Sequence, residues 1–277
     1  MLHTDIKYIL NHHRGILLDA YGVLVAGERM LAGAESLIAR LKREQRAFAI
    51  VTNDASAHPD TLCTKYRAMG LQIEREQLFS SGYLVVPYFR KHHLEGACTW
   101  VLGPKDVERM VHDAGGIVVE PSYKALPDVV VCADEAGYDF LPTVETVISQ
   151  LFKAQEKAHH VRLLLPNPDR IFPKAAGRVG LAAGSIALII DDALKRRFGE
   201  GAMAFEALGK PEATLFLEAQ KAIGETDLCM IGDQLETDVL GAKRAGMFAA
   251  IVQTGVGRFE VAEKGFGPDY VLSSLKA

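Results

Sequence analysis

The chain has 277 residues, of which 49% are hydrophobic and 24% are charged, and its formal net charge is −4 at pH 7. This composition is typical of a soluble globular protein with one large domain or two modest ones. The small negative charge provides no basic field for nucleic acid and no apolar run is long enough to cross a bilayer, so neither a nucleic-acid nor a membrane partner is expected.

The cysteines and the N-terminus indicate a reducing compartment. The four cysteines form no Cys-x-x-Cys pair, and Cys132 and Cys229 lie inside apolar runs, where a free thiol behaves as a small hydrophobe. Residues 1–14 are polar and do not fit a secretory signal. We therefore expect reduced thiols and a cytoplasmic location.

The first predicted elements alternate between strand and helix. The run from Ile16 to Asp19 is apolar and ends in an acid, which is typical of a buried parallel strand. Apolar residues at helical spacing then predict a helix over 33–45, and a second apolar run predicts a strand over 48–51. A further helix is predicted over 59–69. Strand, helix and strand in this order form a βαβ unit, whose crossover should be right-handed.

The C-terminal part repeats this alternation. Pro211 is expected to open a helix, followed by a strand over 228–231, a helix over 235–245 and a strand over 248–252. Further alternating elements are predicted in between, at 99–102, 107–114, 117–119, 129–132, 144–158 and 161–165. The intervening stretch is long enough to form a small α/β domain of its own, inserted into the first.

Four short segments near the ends of predicted strands carry residues suited to phosphoryl transfer. They are Asp19 to Leu24, Thr52-Asn53, Gly209-Lys210-Pro211 and Gly232 to Asp238. Open α/β sheets bind ligands at the C-terminal ends of their strands. The Asp19 carboxylate, followed by a glycine that permits a sharp turn, is of the type that attacks phosphorus to form an aspartyl-phosphate.

The other segments offer complementary chemistry. The Thr52 hydroxyl and the Asn53 amide can donate to phosphoryl oxygens, and Lys210 can neutralise charge on the transferring group. Asp233 and Asp238 supply the hard oxygen ligands that suit Mg²⁺. Each residue alone also fits a turn, a cap or a solvated surface, but their shared position at strand ends favours one site.

These segments resemble the four motifs of the haloacid dehalogenase (HAD) superfamily, and the whole chain is similar to its NagD-like class of sugar-phosphate and nucleotide phosphatases. The similarity continues in the same order through Pro166-Asn167-Pro168-Asp169, Gly241-Ala242-Lys243, Gly246-Met247, Thr254-Gly255 and Pro268-Asp269-Tyr270-Val271. The resemblance implies an α/β fold with a Rossmann-like, doubly wound parallel-sheet core over 1–82 and 185–277. It implies an inserted α/β cap domain over 83–184.

The resemblance also implies roles for the matched residues. Asp19 would be the nucleophile and Lys210 would steady charge. Substrate would be bound by Thr52, Asn53, Asp54 and Asn167, and Mg²⁺ by Asp19, the backbone carbonyl of Tyr21, Asp233 and Asp238, the last in a supporting position. The implied partner is a small phosphorylated metabolite. Relatives with this cap often dimerise, which leaves a homodimer open.

Tyr21 departs from the family pattern. Most phosphatases of the superfamily have a second aspartate there, which protonates the leaving oxygen and later activates water. The loss of a general acid costs roughly 10²–10⁴ in rate, so the chain is predicted to be a phosphatase with weakened acid catalysis. One alternative is a weak or silent protein that binds phosphorylated ligands. A less favoured alternative is a 2-haloacid dehalogenase, whose first motif resembles Asp19-Ala20-Tyr21-Gly22 but which needs no metal segment.

Asp54 stands where many relatives have an asparagine. One hypothesis is that the Asp54 carboxylate supplies the missing proton transfer. The alternative is that it caps the following turn through its side chain.

Overall fold

The structure is a computed structural model that describes residues 2–173, 178–253 and 267–276. The chain divides into two compact units. The first unit consists of Met1–Thr52, Pro59–Ser80 and Lys210–Ala277, and the second of Asn53–His58 and Ser81–Gly209. Thr254 and Gly255, which belong to the family-like pattern, lie outside the described residues.

The described residues form short strands and helices in alternation. The strands are β1 (Leu2–Thr4), β2 (Gly15–Leu18), β3 (Val25–Ala26), β4 (Arg29–Met30), β5 (Ala47–Thr52), β6 (Leu78–Ser80), β7 (Cys98–Leu102), β8 (Ile117–Val118), β9 (Val129–Cys132), β10 (Arg162–Leu165), β11 (Ile171–Pro173), β12 (Val179–Leu181), β13 (Glu206–Ala207), β14 (Leu228–Gly232), β15 (Phe248–Val252) and β16 (Tyr270–Leu272). The α-helices are α1 (Ile6–His12), α2 (Ala34–Arg43), α3 (Pro59–Ala68), α4 (Val85–His92), α5 (Lys105–Asp113), α6 (Phe140–Glu156), α7 (Ala183–Phe198), α8 (Thr214–Ile223) and α9 (Leu240–Arg244). A π-helical turn, Leu235–Val239, leads into α9.

A parallel sheet organises the first unit. Within the described residues it has seven strands in the order β1-β16-β15-β14-β2-β5-β6. Every residue of β2 and β14 is buried, which explains why both are continuous apolar runs rather than alternating ones. The predicted α/β fold with a parallel core sheet is confirmed, and Asp19 follows directly after the last residue of β2.

The helices that connect the strands bury the apolar faces that the sequence predicted. In α2 the buried side chains are Ala34, Leu37, Ile38 and Leu41, at the spacing that predicted the helix. The helix expected to open at Pro211 begins instead at Thr214, and the helix expected over 235–245 begins as the π-helical turn. Both differences lie at element ends, where sequence patterns are weakest.

A second parallel sheet organises the second unit. Its described strands run in the order β13-β10-β9-β7-β8. The sequence placed residues 185–277 in the first domain, whereas the second unit extends to Gly209. The physical reason is that Ile186 of α7 packs in the same buried cluster as Trp100 and Leu163, and that β13 pairs with β10.

The two short antiparallel ribbons were not predicted from the sequence. The described residues include two antiparallel ribbons, β3–β4 and β11–β12, whose strands of two or three residues are too short to show a period. All four cysteines are free. None of the helices in the described ranges has the length and apolar character needed to cross a membrane.

Candidate active site

The C-terminal edge of the first sheet brings distant segments side by side. Asp19 follows β2, and its backbone N–H donates to the carbonyl of Ile231 in β14 at 3.0 Å. Asp233 directly follows β14, and Thr52 is the last residue of β5, which pairs with β2 on its other side. Because the strands are parallel, their C-terminal ends meet at one edge. The register therefore gathers residues that are far apart in sequence.

Three buried carboxylates lie together at this edge. Among the described residues, Asp19, Asp233 and Asp238 each offer an oxygen atom, and these atoms lie within 4.8 Å of one another. The three residues are 6%, 1% and 1% exposed, so water screens their charges little. Such a group is stable as carboxylates only if cations balance it.

Lys210 is a cation placed among these acids. Its Nζ donates to Asp19 Oδ1 at 2.7 Å and to Asp238 Oδ1 at 2.6 Å. It also donates to the carbonyl of Val51 at 3.2 Å. An ammonium has three N–H donors, so these contacts hold the charged group in place in a residue that is only 2% exposed.

The pKa shifts in this cluster follow from burial and charge. Burial raises the pKa of the Asp19 carboxyl well above its usual range; the Lys210 ammonium opposes this, and the Asp238 and Asp233 charges reinforce it. For Lys210, burial favours the neutral amine, but Asp19 and Asp238 outweigh it and raise the pKa of the ammonium. Lys210 therefore stays charged, and one cation faces three acids.

Gly22 allows the loop after Asp19 to approach Asp233. Its φ is +84°, in the region that favours glycine. A Cβ atom at this position would lie 2.2 Å from Asp233 Oδ2, closer than any real contact. The sequence signal for this approach is the glycine three residues after Asp19.

Asp238 braces the loop after β14. Its Oδ2 accepts hydrogen bonds from the N–H groups of Asp233 at 3.0 Å and Gln234 at 3.1 Å. A Cβ atom on Gly232 would lie 2.2 Å from the Cβ of Asp238, so a glycine is needed for this packing. With its other oxygen held by Lys210, Asp238 is suited to a supporting position.

The donor set of this cluster fits Mg²⁺. Carboxylate oxygens are the hard ligands that this ion prefers, and the unbalanced negative charge favours a further cation. The Asp19 and Asp233 carboxylates are the candidates for direct contact, together with the backbone carbonyl of Tyr21 that the sequence singled out.

The Tyr21 side chain is half-buried and contacts a lysine of α3. Lys65 Nζ donates to Tyr21 Oη at 2.8 Å and lies 5.5 Å from the centre of the ring. Sequence reasoning missed Lys65, because an exposed lysine in a helix gives no signal of a contact 44 residues away.

The other predicted substrate-binding residues lie in the second unit. Asn53 Nδ2 donates to Asp169 Oδ1 at 3.1 Å, and the N–H of Asp169 donates to Asn167 Oδ1 at 3.0 Å. Asp54 Oδ1 accepts hydrogen bonds from the N–H of Ser56 at 3.1 Å and from its hydroxyl at 2.6 Å. Asp54 thus caps the following turn, as the alternative interpretation of this residue expected.

Comparison with known families gives two matches. A family model described as haloacid dehalogenase-like hydrolase matches residues 16–117. A second model, described as HAD-hydrolase-like, matches residues 207–277. Together the two ranges cover more than half of the chain and contain Asp19, Thr52, Lys210 and Asp233.

Individual proteins are similar over nearly the whole chain. Dihydroxyacetone phosphatase of Corynebacterium glutamicum (strain R) is 27% identical over 262 residues, which cover 94% of this chain and 88% of that protein. Sugar-phosphatase AraL of Bacillus subtilis (strain 168) is 27% identical over 264 residues, which cover 95% of this chain and 90% of that protein. A crystal structure from Cytophaga hutchinsonii, described as a possible sugar phosphatase of the HAD superfamily, superposes with a TM-score of 0.85 at 26% identity and covers 100% of this chain and 99% of its own.

Proposed function

Because this chain belongs to the haloacid dehalogenase-like hydrolases, we propose that it is a phosphoric monoester hydrolase acting on small phosphorylated metabolites of the sugar-phosphate or nucleotide type. The observation that carries the proposal is the buried group of Asp19, Lys210, Asp233 and Asp238 at the C-terminal edge of the sheet. The phosphatase relatives, matched over nearly their full length, support the same class of reaction.

In the proposed reaction, Asp19 supplies the nucleophile. A carboxylate oxygen of Asp19 forms a bond to phosphorus while the ester P–O bond breaks, and the leaving oxygen takes up a proton to depart as an alcohol. Water then attacks the aspartyl-phosphate, which regenerates the carboxylate and releases inorganic phosphate. Lys210 holds Asp19 Oδ1 at 2.7 Å, so its ammonium orients the nucleophile and balances charge near the transferring group.

In the same proposal, Asp19, Asp233 and the Tyr21 carbonyl would hold Mg²⁺, with Asp238 bracing the loop that carries Asp233. When bound, the ion would neutralise negative charge on the phosphoryl group and on the acids. Gly22 serves this arrangement because it leaves room for Asp233 Oδ2 next to the turn after the nucleophile.

Tyr21 gives the proposed enzyme a weak general acid. Since the transition state of phosphoryl transfer is loose, esters with good leaving groups depend less on protonation than alkyl esters do. We expect turnover to fall steeply as the leaving alcohol becomes less acidic. The rate deficit on alkyl esters would be roughly 10²–10⁴ relative to an enzyme with the second aspartate.

Residues near the end of β5 and in the second unit complete the proposal. Thr52 is buried at the end of β5, where its hydroxyl is proposed to bind phosphate. Asn53, the next residue in the chain, and Asn167 of the second unit remain predicted substrate-binding residues. Asp54 already accepts two hydrogen bonds from Ser56, and a proton-transfer role for it remains a hypothesis.

The first prediction is that the chain hydrolyses p-nitrophenyl phosphate and acetyl phosphate, both of which have good leaving groups. Turnover should require Mg²⁺ and should fall by roughly 10³-fold or more in Asp19→Asn, because the nucleophile is lost. Asp192→Asn makes the same change at an exposed position of α7 and is the matched control.

The alternatives give different results in this assay. A folded protein that binds Mg²⁺ but hydrolyses neither ester would favour a phospho-ligand-binding role, because position 21 has a tyrosine and no carboxylate. Halide release from a 2-haloacid without metal would instead contradict the proposal in favour of the dehalogenase.

A further inference from the structure

The segment from Asn53 to His58 connects two elements of the first unit but belongs to the second unit. It follows the last residue of β5 and ends just before Pro59, the first residue of α3. The segment carries Asn53 and Asp54, which are two of the predicted substrate-binding residues. The contacts that hold it in the second unit therefore bear on how substrate is bound.

Hydrogen bonds at Asn53 fix the start of the segment. The Asn53 Nδ2 donates to Asp169 Oδ1 at 3.1 Å, and the backbone carbonyl of Asn53 accepts from the Ser81 hydroxyl at 3.0 Å. A Cβ atom on Gly209 would lie 2.6 Å from Asn53 Oδ1, so the amide is closely packed as well. Both the backbone and the side chain of Asn53 are thus held.

His58 fixes the end of the segment on α5. Its backbone N–H donates to Asp106 Oδ2 at 3.1 Å, and its ring Nε2 lies 3.0 Å from Asp113 Oδ2. Because an ionised carboxylate only accepts hydrogen bonds, the second bond requires an N–H group on Nε2. The Tyr83 ring meets the imidazole edge-on, with 5.5 Å between the ring centres. His58 is only 3% exposed and is held through both its backbone and its ring.

The two acids that bind His58 lie at opposite ends of α5. Asp106 and Asp113 are seven residues apart, which is about two helical turns, so they share one face of the helix. Asp106 lies in the first turn, where the helix dipole favours a negative charge, but Asp113 is the last residue, where the dipole disfavours one. The hydrogen bond from His58 offsets the unfavourable position of Asp113.

The middle of the segment is closed by its own turn and by close packing. Asp54 Oδ1 accepts hydrogen bonds from the N–H of Ser56 at 3.1 Å and from its hydroxyl at 2.6 Å. A Cβ atom on Gly82 would lie 3.0 Å from the Cα of Ala55 and 2.9 Å from Cε of Met110, a residue of α5. Because the segment is short and tightly packed, release of one end should displace the other.

We propose that His58 is a positioning residue for phosphate binding, which acts through the segment that carries Asn53 and Asp54. The Nε2–H group of His58, held by Asp113, fixes one end of the segment, and the close packing transmits this restraint to the Asn53 amide. A displacement of about 1 Å in a substrate-binding group is enough to weaken binding and catalysis. This inference rests on the proposed function, because it concerns the same substrate.

The test separates the hydrogen bond of His58 from its ring. His58→Gln places an amide N–H near the position of Nε2, whereas the shorter side chain of His58→Asn does not reach Asp113. Both variants remove the imidazole and its contact with Tyr83, so they differ in the bond to Asp113. Asp113→Ala removes the same bond at a side chain that is 37% exposed, where folding should tolerate the change. Asp139→Ala removes another exposed acid of the second unit and is the matched control.

Two measurements are made on each variant. Calorimetry with inorganic phosphate in the presence of Mg²⁺ gives the dissociation constant, and amide hydrogen exchange of residues 53–58 reports how firmly the segment is held. We expect His58→Asn and Asp113→Ala to weaken phosphate binding about tenfold and to speed exchange. His58→Gln and Asp139→Ala should stay close to the parent in both measurements.

A double-mutant cycle shows whether His58 acts through Asn53. Asn53→Ala should weaken phosphate binding in the parent and should have much less effect when His58→Asn is already present. Equal losses in His58→Gln and His58→Asn would overturn the inference, because they would indicate only the lost ring. Losses from Asn53→Ala and His58→Asn that add fully, or no effect of Asn53→Ala in the parent, would overturn it too.

Failure of this inference can be told apart from failure of the proposed function. A parent protein that neither hydrolyses p-nitrophenyl phosphate nor binds phosphate would contradict the proposed function, and this inference with it. Hydrolysis by the parent, together with faster exchange at residues 53–58 but unchanged phosphate affinity in His58→Asn, would contradict only the positioning role.

Discussion

Lys210 shows at the scale of one residue how the site is held together. Three of its contacts are to Asp19, Asp238 and the carbonyl of Val51. The ammonium therefore joins the proposed nucleophile, Asp19, to the side chain that braces the loop after β14 and to β5. Leaving a buried carboxylate without its cation costs about 3–5 kcal/mol. The lysine is therefore a structural residue of this edge in addition to its proposed catalytic role.

Asp134 is a second residue whose surroundings are unusual. It lies two residues after β9, and its Oδ1 accepts a hydrogen bond from the N–H of Ala136 at 2.9 Å. Burial raises the pKa of its carboxyl to about 6, the charges of Glu135 and Asp54 add to the increase, and the bond from Ala136 opposes it. The folded protein thus holds the Asp134 proton more tightly than the unfolded chain does.

The second prediction follows from this raised pKa. The stability associated with protonated Asp134 is present below about pH 4 and is lost as the pH rises through about 6. Asp134→Asn keeps a neutral side chain at every pH, so it should stabilise the protein above pH 7. Without solvent screening, a pKa shift of this size would change the free energy of unfolding by about 3 kcal/mol. Because Asp134 is partly exposed, we expect the change to be about 1 kcal/mol.

Urea unfolding at pH 4 and pH 8 measures the effect. The advantage of Asp134→Asn over wild type should be present at pH 8 and absent at pH 4. Asp139→Asn, an exposed position in the same unit, is the matched control. An advantage that is the same at both pH values would show that charge is not its cause.

At the scale of elements, α9 approaches α8 through a glycine. A Cβ atom on Gly241 would lie 2.4 Å from Cε2 of the fully buried Phe216 and 3.2 Å from the backbone of Pro211. The Phe216 ring is enclosed and cannot swing out into solvent. Pro211 follows directly after Lys210. The close approach of these two helices therefore supports the segment that carries the lysine.

The third prediction is that Gly241→Ala destabilises the protein by about 1–3 kcal/mol, as expected for overpacking. Differential scanning calorimetry measures the change. The control is Gly201→Ala, where nothing lies within 4 Å of the added atom and where the effect should stay within about 0.5 kcal/mol. Equal melting temperatures for the two variants would mean that the Phe216 ring can shift to make room for the added methyl group.

At the scale of the whole molecule, the proposed Mg²⁺ site would link metal binding to folding. Asp19, Asp233 and Asp238 come from two distant parts of the chain and meet only in the folded first unit. An ion that binds this cluster and not the unfolded chain stabilises the fold by mass action.

The fourth prediction is that Mg²⁺ raises the melting temperature. At a concentration about 100-fold above its dissociation constant the ion would contribute about 2.7 kcal/mol. Asp233→Asn should lose most of this stabilisation. NaCl of equal ionic strength is the control for screening, and a shift that NaCl reproduces would contradict specific binding.

The sequence by itself determined the elements and the motif segments. Buried parallel strands are continuous apolar runs, and acids and glycines at their ends form local patterns, so β2, β5, β14 and the positions of Asp19, Thr52 and Asp233 could be predicted. The errors in the predicted elements lie at their ends. For example, α8 begins at Thr214 and not at Pro211.

Only the tertiary structure decided which side chains meet. The three contacts of Lys210, the bond between Tyr21 and Lys65, and the extension of the second unit to Gly209 join residues that are distant in sequence. Such contacts depend on strand register and on how helices pack, and neither leaves a local pattern in the chain. Tyr21 is the clearest case. The sequence singled out its position, but only the structure shows that Lys65 donates a hydrogen bond to its hydroxyl.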